Sequence, residues 1–176
     1  MDILRTATDW AKAEVFSTSF FILFAVLFVL ASIGFWQLGK TDMAKAYIIP
    51  TLVAGSLLLI IGLGLVFTNK SRITQFETAY NKDAASFVES ELVRVESTLK
   101  EYRTIVFKAI PFIIVVAALL IVFMDKPVWR ASAITTIAMM VVILLIDGTA
   151  KARIDAYNEE LELVVKKRIN ELSEKN

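Results

Sequence analysis

The sequence contains neither cysteine nor histidine. Without cysteine the chain forms no disulfide, and it has no thiolate for catalysis, lipid acylation or metal binding. Without histidine it lacks the usual ligand of haem and zinc and the base that activates serine nucleophiles. No other motif for catalysis or cofactor binding is present, so we expect a protein that is not an enzyme and that holds neither a cofactor nor a metal.

Net charge is also nearly absent, because 19 basic residues face 18 acidic ones. This balance argues against a nucleic-acid partner, since such partners are bound by an excess of Lys and Arg. The 176 residues, of which 57% are hydrophobic, leave no room for a separate soluble domain of ordinary size.

Long apolar runs, in contrast, fill most of the chain. They cover residues 15–38, 47–67, 104–124 and 128–146, and no charged residue lies in the middle of any run. A helix needs roughly 20 apolar residues to cross a bilayer. We therefore predict an all-α integral membrane protein of the inner or plasma membrane, with four transmembrane helices and the lipid bilayer as a partner. The first run is longer than a typical cleaved signal core, so we expect it to be retained.

The distribution of basic residues predicts the orientation. Of the 19 Lys and Arg residues, 15 lie before the first run, in residues 68–108, or after the fourth run. Flanking positive charge remains on the cytoplasmic side, so both termini and the middle segment are predicted to be cytoplasmic. Trp36, Tyr47 and Trp129 would then lie together at the outer interface, where amphipathic rings are enriched.

A shift of 77 residues aligns two halves of the chain. It places Pro50 on Pro127, each at the start of the second span of a pair, and residues 79–81 on residues 156–158. We interpret the chain as two tandem hairpin repeats with helical cytoplasmic extensions. The predicted parts are an amphipathic N-terminal segment (1–14), a first transmembrane hairpin (15–68), a cytoplasmic helical hairpin (69–103), a second transmembrane hairpin (104–147) and a cytoplasmic C-terminal helix (148–176).

The cytoplasmic parts carry the clearest periodic pattern. Apolar residues recur at steps of four and three, which is typical of a coiled-coil seam, and the candidate interaction seam consists of Val88, Leu92, Val95, Leu99 and Tyr102. The chain is predicted to turn at residues 81–83, with Ser86 and Glu89 as a capping box that starts the returning helix. The seam would either pack within the chain or bind a second copy or a partner helix. The N-terminal segment would either lie in the interface or extend the first span.

Three features of the spans suggest local contacts. Lys108 and Asp147 lie at the cytoplasmic ends of the third and fourth runs, so they are a candidate pair across the inner mouth; alternatively, each contacts headgroups and water. Gly55 and Gly62, seven residues apart, suit a close helix contact. Pro111 is expected to distort the third span.

From these patterns the first functional hypothesis is a non-enzymatic membrane scaffold or accessory subunit. It would act through helix contacts in the bilayer and cytoplasm, by self-association into a homo-oligomer or with a membrane partner protein. The alternative is an oligomeric ion channel or membrane pore, lined by the Ser and Thr residues of the first or fourth span. A membrane-embedded enzyme ranks last, because no nucleophile with a base is recognisable.

Overall fold

The computed structural model describes residues 3–174, and this part of the chain is all helical. The elements are α1 (Ile3–Leu38), α2 (Asp42–Ala46), α3 (Ile48–Lys82), α4 (Ala84–Glu101), a π-helical segment (Tyr102–Ala109), α5 (Ile110–Phe123) and α6 (Pro127–Ser173). The π-helical segment joins α4 and α5 into one rod. Four rods of the described chain are long and apolar enough to cross a membrane: Ile3–Leu38, Asp42–Lys82, Ala84–Phe123 and Pro127–Ser173.

The two ends of the molecule bury different kinds of surface. We call residues 15–68 and 104–147 the apolar bundle, and residues 3–14, 69–103 and 148–173 the polar bundle. In the apolar bundle large apolar side chains such as Leu30, Phe112 and Val122 are exposed. The main core lies in the polar bundle and is formed by Ile3, Ala7, Trp10, Ala11, Phe76, Phe87, Val88, Val95, Ile154, Tyr157 and Leu161.

The N-terminal segment does not form a separate helix. It is the beginning of α1, which runs unbroken from Ile3 to Leu38. Ile3, Ala7 and Trp10 recur on one face and are buried in the core of the polar bundle. The segment therefore extends the helix of the first apolar run, which is the second of the two predicted alternatives.

The turn between α3 and α4 consists of Asp83 alone, inside the predicted 81–83 segment. The Asp83 carboxylate accepts hydrogen bonds from the backbone N–H groups of Ala85 (2.8 Å) and Ser86 (3.2 Å). The predicted capping box at Ser86 is therefore wrong. Asp is as good an N-cap as Ser, and because it comes three residues earlier, α4 has already begun when the chain reaches Ser86.

Gly55 and Gly62 face α1 of the same chain. A Cβ atom built on Gly62 would lie 2.9 Å from Cβ of Phe21, and one on Gly55 would lie 2.9 Å from Cγ2 of Val29. Such distances are shorter than van der Waals contact, so only residues without a side chain permit the observed approach of the two backbones. The close contact suggested by the spacing of the glycines is thus made within the first hairpin.

Pro111, the second residue of α5, follows the π-helical segment directly. Proline has no N–H to donate, and its ring clashes with the carbonyl four residues earlier, which here belongs to Phe107. The preceding turns are wider than α-helical ones, and Ile110 donates its N–H to the carbonyl of Ile105, five residues back. The distortion expected at this proline therefore takes the form of a π-helical segment rather than a break.

Candidate functional site

Trp10 of α1 lies at the centre of the polar bundle, in contact with the three other rods. Tyr157 of α6 stacks on it, with ring centroids 5.3 Å apart and an angle of 14° between the rings. The guanidinium carbon of Arg94, on α4, lies 4.7 Å from the Trp10 ring centroid, and that of Arg72, on α3, lies 5.9 Å away. Both distances fit cation–π contacts. One indole ring thus joins α1, α3, α4 and α6.

Glu91 of α4 is the first buried carboxylate of this cluster. It is only 6% exposed. Arg94 donates to it from Nε (2.9 Å) and Nη2 (2.5 Å), and the Tyr157 hydroxyl donates at 3.1 Å. Burial, and then the negative charge of Glu91, raise the pKa of the Tyr157 phenol, so this hydroxyl remains a donor. The carboxylate has three charge-assisted hydrogen bonds, which is how proteins accommodate a buried charge.

Glu14 of α1 is the second buried carboxylate and is 5% exposed. It lies next to the first apolar run, and Nε of Arg153 on α6 donates to it at 2.8 Å. The two residues are 139 positions apart in sequence. This ion pair therefore connects the first rod to the last at the border between the apolar and polar bundles.

Arg72 of α3 differs from the other two arginines because its charge has no carboxylate beside it. Among residues 3–174, no ion pair includes Arg72. Its Nη1 donates to Oδ1 of the buried Asn69 at 2.8 Å. Partial burial, and then the neighbouring charge of Arg94, lower the pKa of the Arg72 guanidinium. The group remains protonated at neutral pH, so it carries a positive charge in an unfavourable environment.

The residues of the candidate interaction seam lie on one side of α4 and the π-helical segment and face the chain's own core. Val88 and Val95 are buried in it, and Leu92, Leu99 and Tyr102 pack against it. The surface opposite it is formed chiefly by α6, with Ile154, Tyr157 and Leu161. The structure thus brings all five seam residues together in intramolecular packing.

One end of the seam is uncovered. An apolar groove of about 690 Å³ lies between the beginning of α4 and the end of α6, with Val88 and Leu92 on one side and Val164, Ile169 and Leu172 on the other. Ile169 is 60% exposed and Leu172 is 58% exposed. The groove also carries charged residues of both signs, namely Glu89, Lys167, Arg168 and Glu171.

Lys108 and Asp147 are not joined by an ion pair in the described part of the chain. Lys108 is exposed on the π-helical segment, whereas Asp147 is half-buried on α6. An ion pair between rods does lie at this border, but it joins Glu14 to Arg153 rather than Asp147 to Lys108.

Several hydroxyls of the apolar bundle form hydrogen bonds within and between helices, whereas the buried hydroxyl of Thr135 has no partner among the described residues. Thr18 donates to the carbonyl of Glu14 (2.7 Å), and Thr51 donates to that of Tyr47 (2.6 Å). Ser32 donates to the carbonyl of Ile48 at 2.7 Å, which links α1 to α3. Bonds of this kind are usual for hydroxyls in apolar helices.

The Trp10 cluster was not foreseen from the sequence. In the sequence, Glu14, Glu91 and Arg153 look like ordinary surface charges, and no neighbouring residue indicates that they are buried. The available signal was the position of Glu91 and Arg94, three residues apart and adjacent to the seam, which permits an ion pair at the edge of a packed face.

No family model, no curated protein and no solved structure matches the chain.

Proposed function

We propose that the apolar bundle spans a membrane and that the polar bundle lies in the cytoplasm. The support is the contrast in burial: Phe112 and Val122 are 69% and 70% exposed in the apolar bundle, whereas the core of the polar bundle is closed. A continuous exposed apolar surface of this kind is unfavourable in water, and lipid removes it from water. The bias of Lys and Arg toward the polar bundle favours a cytoplasmic position for it.

Cysteine labelling tests this orientation in the otherwise cysteine-free chain. Thr41, before α2, and Ser97, on α4, are both exposed. In sealed vesicles or cells we expect Thr41→Cys to react with an impermeant maleimide from outside and Ser97→Cys to react only after the membrane is permeabilised. Labelling of Ser97→Cys from outside would reverse the orientation, and labelling of both variants from outside would contradict membrane insertion.

Within the membrane we propose a non-enzymatic scaffold or accessory subunit that acts through helix contacts and self-associates. The observation that carries this proposal is the apolar groove of the polar bundle. It lies beyond the apolar runs, so lipid does not cover it, and its apolar residues include the strongly exposed Ile169 and Leu172. Apolar surface exposed to water at the end of a helix is typical of a protein contact.

The proposed occupant of the groove is a second copy of the chain. A two-fold arrangement places the same patch of each copy on the other, so Glu89 of one copy faces Lys167 or Arg168 of its partner while the apolar residues meet at the centre. The patch carries both signs of charge together with apolar residues, so it is complementary to itself.

The oligomeric state in lipid nanodiscs, measured by native mass spectrometry, tests this proposal. Ile169→Asp combined with Leu172→Asp would bury charge in the contact, and we expect at least a tenfold rise in the dissociation constant of the dimer. Val93→Asp is the matched control, because Val93 is 64% exposed on α4 but does not line the groove. A wild-type monomer, or equal dimerisation of both variants, would contradict self-association through the groove.

An oligomeric pore has less support. In the first span, Thr18 and Ser19 donate their hydroxyls to backbone carbonyls of their own helix, so these groups are occupied rather than free to line a path. In the fourth span, the Thr135 hydroxyl has no hydrogen-bond partner among the described residues, but Thr135 is only 4% exposed and so faces the interior of the chain rather than a path between copies. A ring of copies that conducts ions in planar bilayers would favour the pore over the scaffold.

A further inference from the structure

The three arginines around Trp10 and Glu14 are not equally neutralised. Glu91 pairs with Arg94, and Glu14 pairs with Arg153. Arg72 has the Trp10 ring and the neutral Asn69 oxygen as its neighbours, and no ion pair within residues 3–174 includes it. A guanidinium has five N–H donors in a planar fork, which matches the oxygens of a phosphate. An anion beside Arg72 would therefore remove an electrostatic cost that the more distant Glu91 and Glu14 carboxylates offset only in part.

A second donor in the same cluster also lacks an acceptor. Trp10 is 8% exposed, and among the described residues its indole Nε1–H has no hydrogen-bond partner. A buried donor without an acceptor is destabilising. The Arg72 guanidinium lies over this same ring, so the unpartnered indole N–H and the unpaired guanidinium belong to one cluster.

The position of Arg72 along α3 indicates where that anion comes from. The second apolar run ends at Phe67, five residues earlier, which corresponds to about 7.5 Å along the helix. The polar headgroup layer on each side of a bilayer is roughly 5–7 Å thick. Arg72 Cα therefore lies at the outer edge of this layer. Helix side chains lean toward the N-terminus of their helix, which for α3 is toward the apolar run, so the guanidinium lies at the level of lipid phosphates.

We propose that Arg72, beside Trp10, binds the phosphate of an anionic phospholipid of the cytoplasmic leaflet. This site rests on the membrane orientation proposed for the polar bundle. The lipid phosphate accepts from the free edge of the Arg72 fork, while the Asn69 amide oxygen fixes the orientation of the guanidinium from the other side. The bound lipid would help to hold α3 against α1 at the border of the two bundles.

Lys70 provides a matched control for this site. It lies two residues from Arg72 on the same helix, it is exposed, and no ion pair of the described chain includes it. A positive charge near an anionic surface attracts lipid diffusely by about fivefold, and salt screens that attraction. A half-buried guanidinium with a fixed orientation is screened less, so the two residues should differ in both magnitude and salt dependence.

The full chain is released from nanodiscs of phosphatidylethanolamine and phosphatidylglycerol, and native mass spectrometry measures how much phosphatidylglycerol it retains. We expect Arg72→Gln to lower the affinity for one phosphatidylglycerol more than tenfold, with the loss persisting at 1 M salt, where the Debye length is only about 3 Å. Lys70→Gln should lower the affinity fivefold or less, and only at low salt. Equal effects of the two variants would mean diffuse attraction and would overturn the site.

Two further arms make the result decisive. Arg72→Lys keeps the positive charge but lacks the planar fork of the guanidinium, so we expect its retention of lipid to lie between those of the wild type and Arg72→Gln. We also expect Arg72→Lys to fold even if Arg72→Gln does not. Retention by Arg72→Lys equal to that of the wild type would overturn the role of the fork. Inorganic phosphate that bound equally well to the wild-type chain in purely zwitterionic nanodiscs would overturn the assignment to a lipid. Failure of the orientation itself would be recognised separately, by labelling of Ser97→Cys from outside.

Discussion

The two hairpins of the apolar bundle reach similar lengths by different packing. In the first hairpin, Gly55 and Gly62 bring α3 so close to α1 that a methyl group would not fit at either contact. In the second, α5 contains no glycine, and its buried residues are Ile110 and Ala117. A shift of 77 residues places Ser132 and Met139 at the positions of the two glycines. Similar apolar runs therefore produce a tightly fixed pair of helices in one half and a more peripheral helix, α5, in the other.

The difference extends to the ends of the hairpins. The first continues from α1 and α3 straight into the polar bundle, while the second reaches it on one side through the π-helical segment before Pro111. We infer that the first hairpin is the fixed frame of the molecule. The second is held to it mainly where α6 contacts α1, including the pair of Arg153 with Glu14.

The largest expected effect comes from breaking this connection between the two halves. Glu14→Ala leaves the Arg153 guanidinium without its buried partner, so we expect a loss of about 3–5 kcal/mol in the free energy of unfolding. Asp125→Ala removes a carboxylate from an exposed pair with Arg130 and should leave stability nearly unchanged. Denaturant unfolding in micelles, followed by circular dichroism, measures both. Equal stability of the two variants would contradict a structural role for the buried pair.

A smaller effect is expected from the glycine contacts of the first hairpin. Gly62→Ala forces a methyl group to within 2.9 Å of Phe21 and Ile22 side-chain atoms, so we expect α1 and α3 to separate and the protein to lose about 1–3 kcal/mol. Gly64→Ala is the control on the same helix, because a Cβ there meets no atom within 4 Å. It should leave stability unchanged or slightly improved, since Ala favours helix over Gly. Thermal unfolding of the two variants in one detergent compares them directly.

The smallest effect on stability is expected from the second hairpin. Pro111→Ala restores an N–H that can bond to the carbonyl of Phe107, so we expect a change within about 1 kcal/mol. Amide hydrogen exchange should become slower in Tyr102–Ala109 as these residues return toward α-helical bonding. Unchanged exchange would show that packing of the seam, rather than the proline, holds the π-helical form.

Much of the architecture could be predicted from residue pattern. Apolar runs of sufficient length predict the four long helices. The chain must return to the membrane between the second and third runs, and the capping-box pattern that follows places the turn at residues 81–83. The sequence pattern favours Ser86 as the N-cap, because a capping box involves two residues and a single Asp only one. In the structure the cap is Asp83, whose side chain accepts from the first amides of the helix just as a Ser side chain can. Which of two possible N-cap residues is used depends on where the helix begins, and α4 begins at Ala84.

The candidate site could be predicted only in part. The periodicity of Val88, Leu92 and Val95 shows that one face of α4 packs, but it does not say against what. In the structure that face packs against α6, and the part of it that stays uncovered is the groove at its end. Glu14 and Arg153 give no pattern, because a buried ion pair between residues 139 positions apart depends on the path of the whole chain.

Residue composition is enough to establish which solvent each part of the chain prefers, because that preference is a sum over local residues. It gives four apolar helices, a polar end and a biased distribution of positive charge. Which charges are neutralised depends instead on how the rods pack. Glu14, Glu91, Arg94 and Arg153 are paired because four rods converge on Trp10, while the same convergence leaves Arg72 without a carboxylate. Electrostatic energy depends on distances between helices, and these distances are fixed by packing rather than by the order of residues along the chain.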